Sequence, residues 1–196
     1  MELLEDKLAY LGVLFDSDGW RNAGIQGDIV SETLPVPGSS INCFRSSARI
    51  KATAADIVDY VWHTYDSREL MEDDEILEYE IVENITPNAR VCRQVNKLPW
   101  PLWPRETVYI QHRFEHEGVV YILAYSVDHP KAPLQPTKYV RSISRVSGYV
   151  LMPSTDGTLV YRIAHVDPAG YIPASIVNSC ATKTTVVLHR LAIKFA

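Results

Sequence analysis

Long apolar runs are missing from this chain: no stretch approaches the roughly 20 residues that a membrane-spanning helix needs. Cysteine is scarce too. Cys43, Cys92 and Cys180 are odd in number and widely spaced, which gives neither a disulfide framework nor a zinc pair. Free buried thiols in a reducing compartment are expected instead. There is no basic excess: 19 Lys and Arg stand against 24 Asp and Glu, a formal net charge of −5. A general nucleic-acid binder is thereby disfavoured, and any membrane contact is expected to be local and apolar, not polybasic. Six histidines, at 63, 112, 116, 129, 165 and 189, form no His-Glu-x-x-His pair, and no Gly-x-Ser-x-Gly elbow or phosphate-cradling loop is present. No metal, cofactor or enzymatic activity is expected. The acidic start, Met-Glu-Leu-Leu-Glu-Asp-Lys, lacks a leader's basic region, and Glu2 is not the glycine that myristoylation needs. A cytoplasmic protein, peripheral and transient at membranes, is expected.

What is there is the balance of a soluble globular domain, with 46% hydrophobic and 22% charged residues. The 196 residues suit one domain, 1–196, long enough to bury a core and still wall off a cavity. Leu4, Leu8, Leu11 and Phe15 recur at helical spacing and predict a helix over 2–15, ended by Asp16-Ser17-Asp18-Gly19. Strand-like pieces follow at 20–24, 27–33 and 42–51, the last with an ambiguous face. Thr53 caps a second helix with Asp56 three residues on. Ile57, Val58, Val61, Trp62 and Tyr65 form its buried stripe, and the acidic stretch Glu69 to Glu75 leads out of it. Further strands are predicted at 75–83, 89–96, 106–115, 119–127, 139–152 and 157–166, with turns at Glu117-Gly118 and Thr155-Asp156-Gly157. Val177, Ala181, Thr184, Leu188 and Leu191 predict one long final helix over 172–195, although its run of Thr and Val has poor propensity. The order is helix, three strands, helix, six strands, helix. That is an α+β pattern with an antiparallel sheet.

The second half resembles a known family. Trp100-Pro101-Leu102-Trp103-Pro104-Arg105-Glu106 is similar to the Trp-Pro…Arg-Asp lead-in to a central strand of the START family. Ser126-Val127-Asp128-His129-Pro130-Lys131-Ala132-Pro133 resembles its Ser-Val-Glu-His-Pro-x-x-Pro segment. Val140-Arg141 and Ser147-Gly148-Tyr149 match the next strand, and His165-Val166-Asp167-Pro168-Ala169-Gly170-Tyr171-Ile172-Pro173 matches the junction into the final helix. The matches cover roughly 92–180 in register. The family's Trp-Asp after the second helix is missing, and Met71 and Glu72 stand in its place. The resemblance implies a helix-grip fold: a curved antiparallel sheet of about nine strands enclosing a tunnel closed by the C-terminal helix. It also implies an intracellular lipid-binding and lipid-transfer protein, monomeric, that carries one lipid between membranes.

A polar lipid head taken inside needs partners, so the polar residues aimed inward are the informative ones. Alternation places Thr158, Val160, Arg162, Ala164 and Val166 on one face of a strand. Arg162 there needs an anion: a lipid phosphate, or a neighbouring carboxylate in a purely structural role. The resemblance adds Gln94, at the position of a ligand-contacting Gln in ceramide-carrying members. It also adds Gln111, Cys92, Tyr109, Arg113 and Ala124. The tunnel Asn of those members falls on Ala124, their tunnel Tyr on Arg162, and the buried Glu–Arg pair of sterol-carrying members falls on Cys92 and Gln111. These departures rank the expected cargo as phospholipid, then ceramide, then sterol. On strand 106–115 alternation alone would bury Val108, Ile110, His112 and Phe114, whereas the family register turns Thr107, Tyr109, Gln111 and Arg113 inward; we follow the family register. A membrane gate is expected from Trp100 and Trp103, since Trp favours the interface, and the resemblance extends it to the start of the last helix at Tyr171 and Ile172, because Trp100 and Tyr171 fall on membrane-contacting Trp positions of ceramide-carrying members; the bland alternative is that the Trp rings cap the core. Three rivals stand behind this reading: a lipid-sensing regulatory module that uses the acidic patch 69–75, a ceramide or sterol carrier, and a hydrolase or cyclase of the same superfamily with His165 and Asp167 as base and orienter. His165 and His129 also read as structural residues, and Glu78 and Glu80 as a solvated face.

Overall fold

The computed structural model describes residues 2–64, 76–179 and 184–196. Tyr65, the acidic stretch 69–75, Met71, Glu72, Cys180, Ala181 and Thr182 lie outside the described residues. The first helix, α1 (Glu2–Phe15), is followed by β1 (Arg21–Gln26), β2 (Ile29–Leu34) and β3 (Cys43–Ile50). Next comes α2 (Ala54–Thr64). The Thr53 hydroxyl oxygen accepts from Asp56 N at 3.1 Å and donates to the Asp56 carboxylate at 2.6 Å, so the predicted cap forms. Six strands follow: β4 (Ile76–Thr86), β5 (Ala89–Asn96), β6 (Arg105–His116), β7 (Val119–Ser126), the short β8 (Val140–Arg141) and β9 (Ile143–Ser154). A seventh, β10 (Gly157–Asp167), completes the series.

The expected strand 139–152 thus divides in two, and the sheet has ten strands. Its order is β1-β2-β3-β10-β9-β7-β6-β5-β4, antiparallel throughout that path, while β8 pairs in parallel with β6. The sheet is open, with β1 and β4 as its borders among the described residues. Both borders are bulged, β1 once and β4 at three points along its ladder with β5. Glu117 and Gly118 both have positive φ (51° and 77°), the turn that suits the twist of the β6–β7 hairpin.

The C-terminal segment corrects the expectation of one long helix. It forms α3 (Ala174–Asn178) and α4 (Thr185–Lys194), with Ser179 capping the first. The Thr-rich run between them is the part with the poorest intrinsic propensity. Among the described residues no helix is long and apolar enough to cross a membrane.

Helices cover both faces of the sheet. On the inner face, Ile57, Val61 and Trp62 of α2 and Leu188 and Leu191 of α4 pack on Ala48, Ile50, Ile122, Leu151 and Val160. On the outer face, Leu11 and Leu14 of α1 pack on Cys43, Leu123, Val146, Val150 and Ile163. The ambiguous strand β3 is thereby resolved: Ala48 and Ile50 face inward and Cys43 outward. Cys43 and Cys92 are buried thiols outside any disulfide, and burial pushes the Cys43 thiol up to about 12. The outer side of β5 and β6 is also covered: Val91 and Val108 bury against Ala132, with Val127 packed beside them.

A buried ion cluster fixes that cover. Glu106, 1% exposed, accepts from Arg93 Nε at 2.5 Å and from Arg141 Nε at 2.9 Å. Arg93 reaches on to Glu78 at 2.7 Å, and Arg141 donates to the carbonyls of Ala132 and Pro133. Glu78 stays partly solvated, its side chain 46% exposed, but it is also tied into this cluster. Its carboxyl is held below the usual range by hydrogen bonds from Tyr139 and Arg93.

Candidate ligand cavity and its rim

Between the inner face and α4 lies a cavity of about 250 Å³. Gln94, Thr107, Tyr109, Gln111, Ala124 and Arg162 all line it. Strand β6 therefore turns the polar set inward, in the family register. Alternation fails here because both faces of β5 and β6 are covered, so the apolar stripe Val108–Ile110 has a core of its own outside.

Arg162 is half-buried on β10. Its Nη1 donates to the carbonyls of Gly148, at 3.1 Å, and of Ile163, and its guanidinium lies 5.0 Å from the Tyr149 ring. Among the described residues it has no carboxylate partner. Of the five N–H donors of a guanidinium, those on Nε and Nη2 have no acceptor among the described residues. Gly148, which supplies one carbonyl, sits where a Cβ would stand 1.9 Å from Ile122 O. Only glycine lets β9 approach β7 so closely. The other cation on the wall, Arg190 of α4, was not foreseen.

The amides form a chain. Gln94 donates to Asn96 Oδ1 at 2.7 Å, and Tyr109 OH donates to Gln94 Oε1 at 3.5 Å. Buried Gln111 accepts from Arg90 Nε at 3.0 Å. Arg90, 1% exposed, also donates to Trp62 O at 2.7 Å and stacks on the Trp62 ring at 4.1 Å. Sequence reasoning missed Arg90, because its acceptors lie 21 and 28 positions away. Ser144 and Ser147 add further hydroxyls to the wall.

Two predicted residues are outside the described lining, although Cys92 packs against two members of it, Tyr109 and Ala124. Cys92 is fully buried and receives a hydrogen bond from Tyr79 OH at 3.1 Å; it is not among the described lining. Arg113 is drawn to Asn88 Oδ1 at 2.9 Å and to the Trp62 ring, so it too is absent from that lining. His165 and Asp167 make no base–orienter pair: His165 Nδ1 meets Tyr10 OH at 2.7 Å, while Asp167 accepts from Ala169 N. Among the described residues no group of three His, Cys, Asp or Glu could hold a metal.

At one end the inward residues Asn96 and Val166 lead into the loops 97–104 and 168–173. These loops carry Trp100, 93% exposed, together with exposed Trp103 and Tyr171 and half-buried Ile172. The Trp rings do not cap the core. Buried Arg105 joins the two loops: it donates to Trp103 O on one, and to Pro168 O at 2.6 Å and Ala169 O at 3.2 Å on the other.

The START domain model matches residues 4–190. The chain belongs to the START family. START domains form a family of lipid-binding and lipid-transfer modules. The ceramide transfer protein of Xenopus laevis is 27% identical over 148 residues, 67% of this chain and 24% of that protein. START domain-containing protein 10 of Mus musculus is 30% identical over 129 residues, 63% of this chain and 44% of that protein. The chain thus spans less than half the length of these START relatives. The crystal structure of human STARD10 superposes with a TM-score of 0.80 at 21% identity, covering 97% of this chain and 80% of that one, and so shares the START fold.

Proposed function

We propose that this START domain binds one lipid non-covalently and carries it between membranes, with a phospholipid as the favoured cargo. The observation that carries the reading is Arg162: an inward guanidinium with no carboxylate among the described residues, on a wall of neutral amides and hydroxyls shared with a second cation, Arg190. A phosphate diester matches its free donors. The apolar part of the cargo supplies the bulk of the affinity, at about 0.8 kcal/mol per buried CH₂.

Size shapes the mechanism. At liquid density, 250 Å³ holds roughly eight waters, far less than a two-chain lipid. Loading therefore has to displace α4 or the loops at the rim. The exposed Trp100, Trp103 and Tyr171 make that rim the face that docks transiently on a bilayer, and Ile172 lies at its base.

Ceramide is the second reading. It is favoured by Gln94 on the wall, and the ceramide transfer protein is among the relatives; Arg162 and Ala124 speak against it. A lipid sensor would share this cavity without transferring. Native mass spectrometry of protein purified from lipid-containing cells names the cargo by mass, and a donor-to-acceptor vesicle assay tests carriage. Arg162→Gln should slow phospholipid transfer by about tenfold or more, the value of a charge-assisted bond. Unchanged phospholipid transfer removes the head-group role of Arg162, and absence of any transfer removes the carrier reading. Trp100→Ala should weaken vesicle binding; equal binding removes the gate.

A further inference from the structure

A second hollow lies on the opposite side of the sheet. It measures about 300 Å³ and is lined by Lys7 and Tyr10 of α1, the 36–39 segment of the β2–β3 loop, Arg145 of β9 and His165 of β10. Its floor is neutral and already satisfied: buried His165 meets Tyr10 OH at 2.7 Å through Nδ1, and Ser39 Oγ and Ile41 O at 3.2 Å through Nε2. Burial, and then the nearby charge of Arg145, lower the proton affinity of this imidazole. Two cations overlook the floor. Arg145 is exposed and has no hydrogen bond or ion pair among the described residues. The Lys7 ammonium rests 5.7 Å from the Tyr125 ring. Among the described residues no carboxylate is part of the lining. Asp167, whose charge is felt at His165, has one carboxylate oxygen taken up by Ala169 N at 2.8 Å. In a chain of net charge −5, a concave site with two cations and no acid is a local reversal of sign.

Its position gives the reversal a use. His165 lies three residues before Pro168, roughly 10 Å along a strand, and Arg105 ties Pro168 to the Trp103 loop. The segment that walls the hollow runs on to Ser40 and Asn42. Asn178 of α3 holds both, donating to Ser40 O at 3.1 Å and accepting from Asn42 N at 2.9 Å. The hollow therefore sits at the same end of the molecule as the exposed aromatic loops and is bonded to the helix that follows Tyr171.

The geometry points to a surface site for the phosphate of an anionic bilayer lipid, held by Lys7 and Arg145 and separate from the cargo cavity. The aromatic loops enter any bilayer; this site adds charge selectivity and orients the rim on an anionic one. It rests on the proposed rim docking and not on the identity of the cargo.

The test is vesicle co-sedimentation of the full chain on phosphatidylcholine alone and on phosphatidylcholine with phosphatidic acid. Wild type should bind the anionic vesicles more tightly. K7Q/R145Q should lose that increment, by roughly thirty-fold for two surface charges, while retaining neutral-vesicle binding and its melting temperature. The control R49Q/K51Q removes equal charge near the β9–β10 turn and should lose far less. An equal loss in the control, or an unchanged increment in K7Q/R145Q, overturns the site. Saturable binding of inorganic phosphate in the absence of vesicles, lost in K7Q/R145Q, overturns the bilayer as the source. Failure of every variant to bind neutral vesicles falls on the rim-docking proposal alone, because the anionic increment is still read as a difference.

Discussion

Arg105→Met tests whether the two exposed loops move as one unit. The substitution keeps a long apolar stem and removes three hydrogen bonds, one to Trp103 O and two to the carbonyls of Pro168 and Ala169. Bonds from a charged donor contribute about 1.5–3 kcal/mol each. Two terms reduce that sum: burial already disfavours the guanidinium's charge, which lowers its pKa, and the freed carbonyls regain some water. A net loss of about 2 kcal/mol is the value these terms support. If it falls on local opening, amide exchange in 97–104 and in 168–172 should accelerate by about thirty-fold. The two loops should respond together, because one guanidinium holds both. Arg105→Lys keeps the charge but not the fork of donors and should restore one loop at most. Hydrogen exchange read by mass spectrometry resolves both segments. Wild-type exchange in both loops of the Met variant, or acceleration of only one, refutes the clamp.

Glu106→Gln should destabilise the fold by about 3 kcal/mol, because it leaves Arg93 and Arg141 facing a neutral amide in a buried site; a denaturant titration that shows less than about 1 kcal/mol refutes this. His112 and His165 both have pKa values lowered by burial, so the unfolded chain binds protons more readily than the fold does. Their stabilisation is fully present above the unfolded pKa of about 6.5 and is lost as pH falls through the lowered folded values. Unfolding titrations between about pH 5 and 8 should show that decline, shallower in His165→Gln, and a flat profile refutes it.

The elements were legible where the periodicity had one cause. The α1 stripe, the Thr53 cap and the Glu117-Gly118 turn each follow from local chemistry. Strand β6 was different, since its outward Val108 is buried and Ile110 partly buried in the cluster with Ala132; only resemblance to a family turned Tyr109 and Gln111 the right way. One long C-terminal helix was expected because helical spacing runs on past Asn178, where α3 ends at its Ser179 cap. Arg162 and Gln94 were reached as wall residues, yet Arg113 was not excluded, because its diversion to Asn88 and Trp62 depends on contacts distant in sequence. Arg90 gave no signal, and Arg105 was legible only as a position in a family motif, not as a clamp. Their acceptors are mostly backbone carbonyls, which every residue has.

The bulged border strands bear on how this molecule avoids its own kind. A sheet that is not closed into a barrel offers rows of free backbone groups on which a second chain can template. Strand β4 carries Glu78, Glu80 and Glu83 within eleven residues, and its ladder slips three times. Irregular spacing and like charge make it a poor match for another flat strand. If loading displaces α4 or the rim loops as proposed, the interior can be exposed without inviting fibrous self-association at that flank.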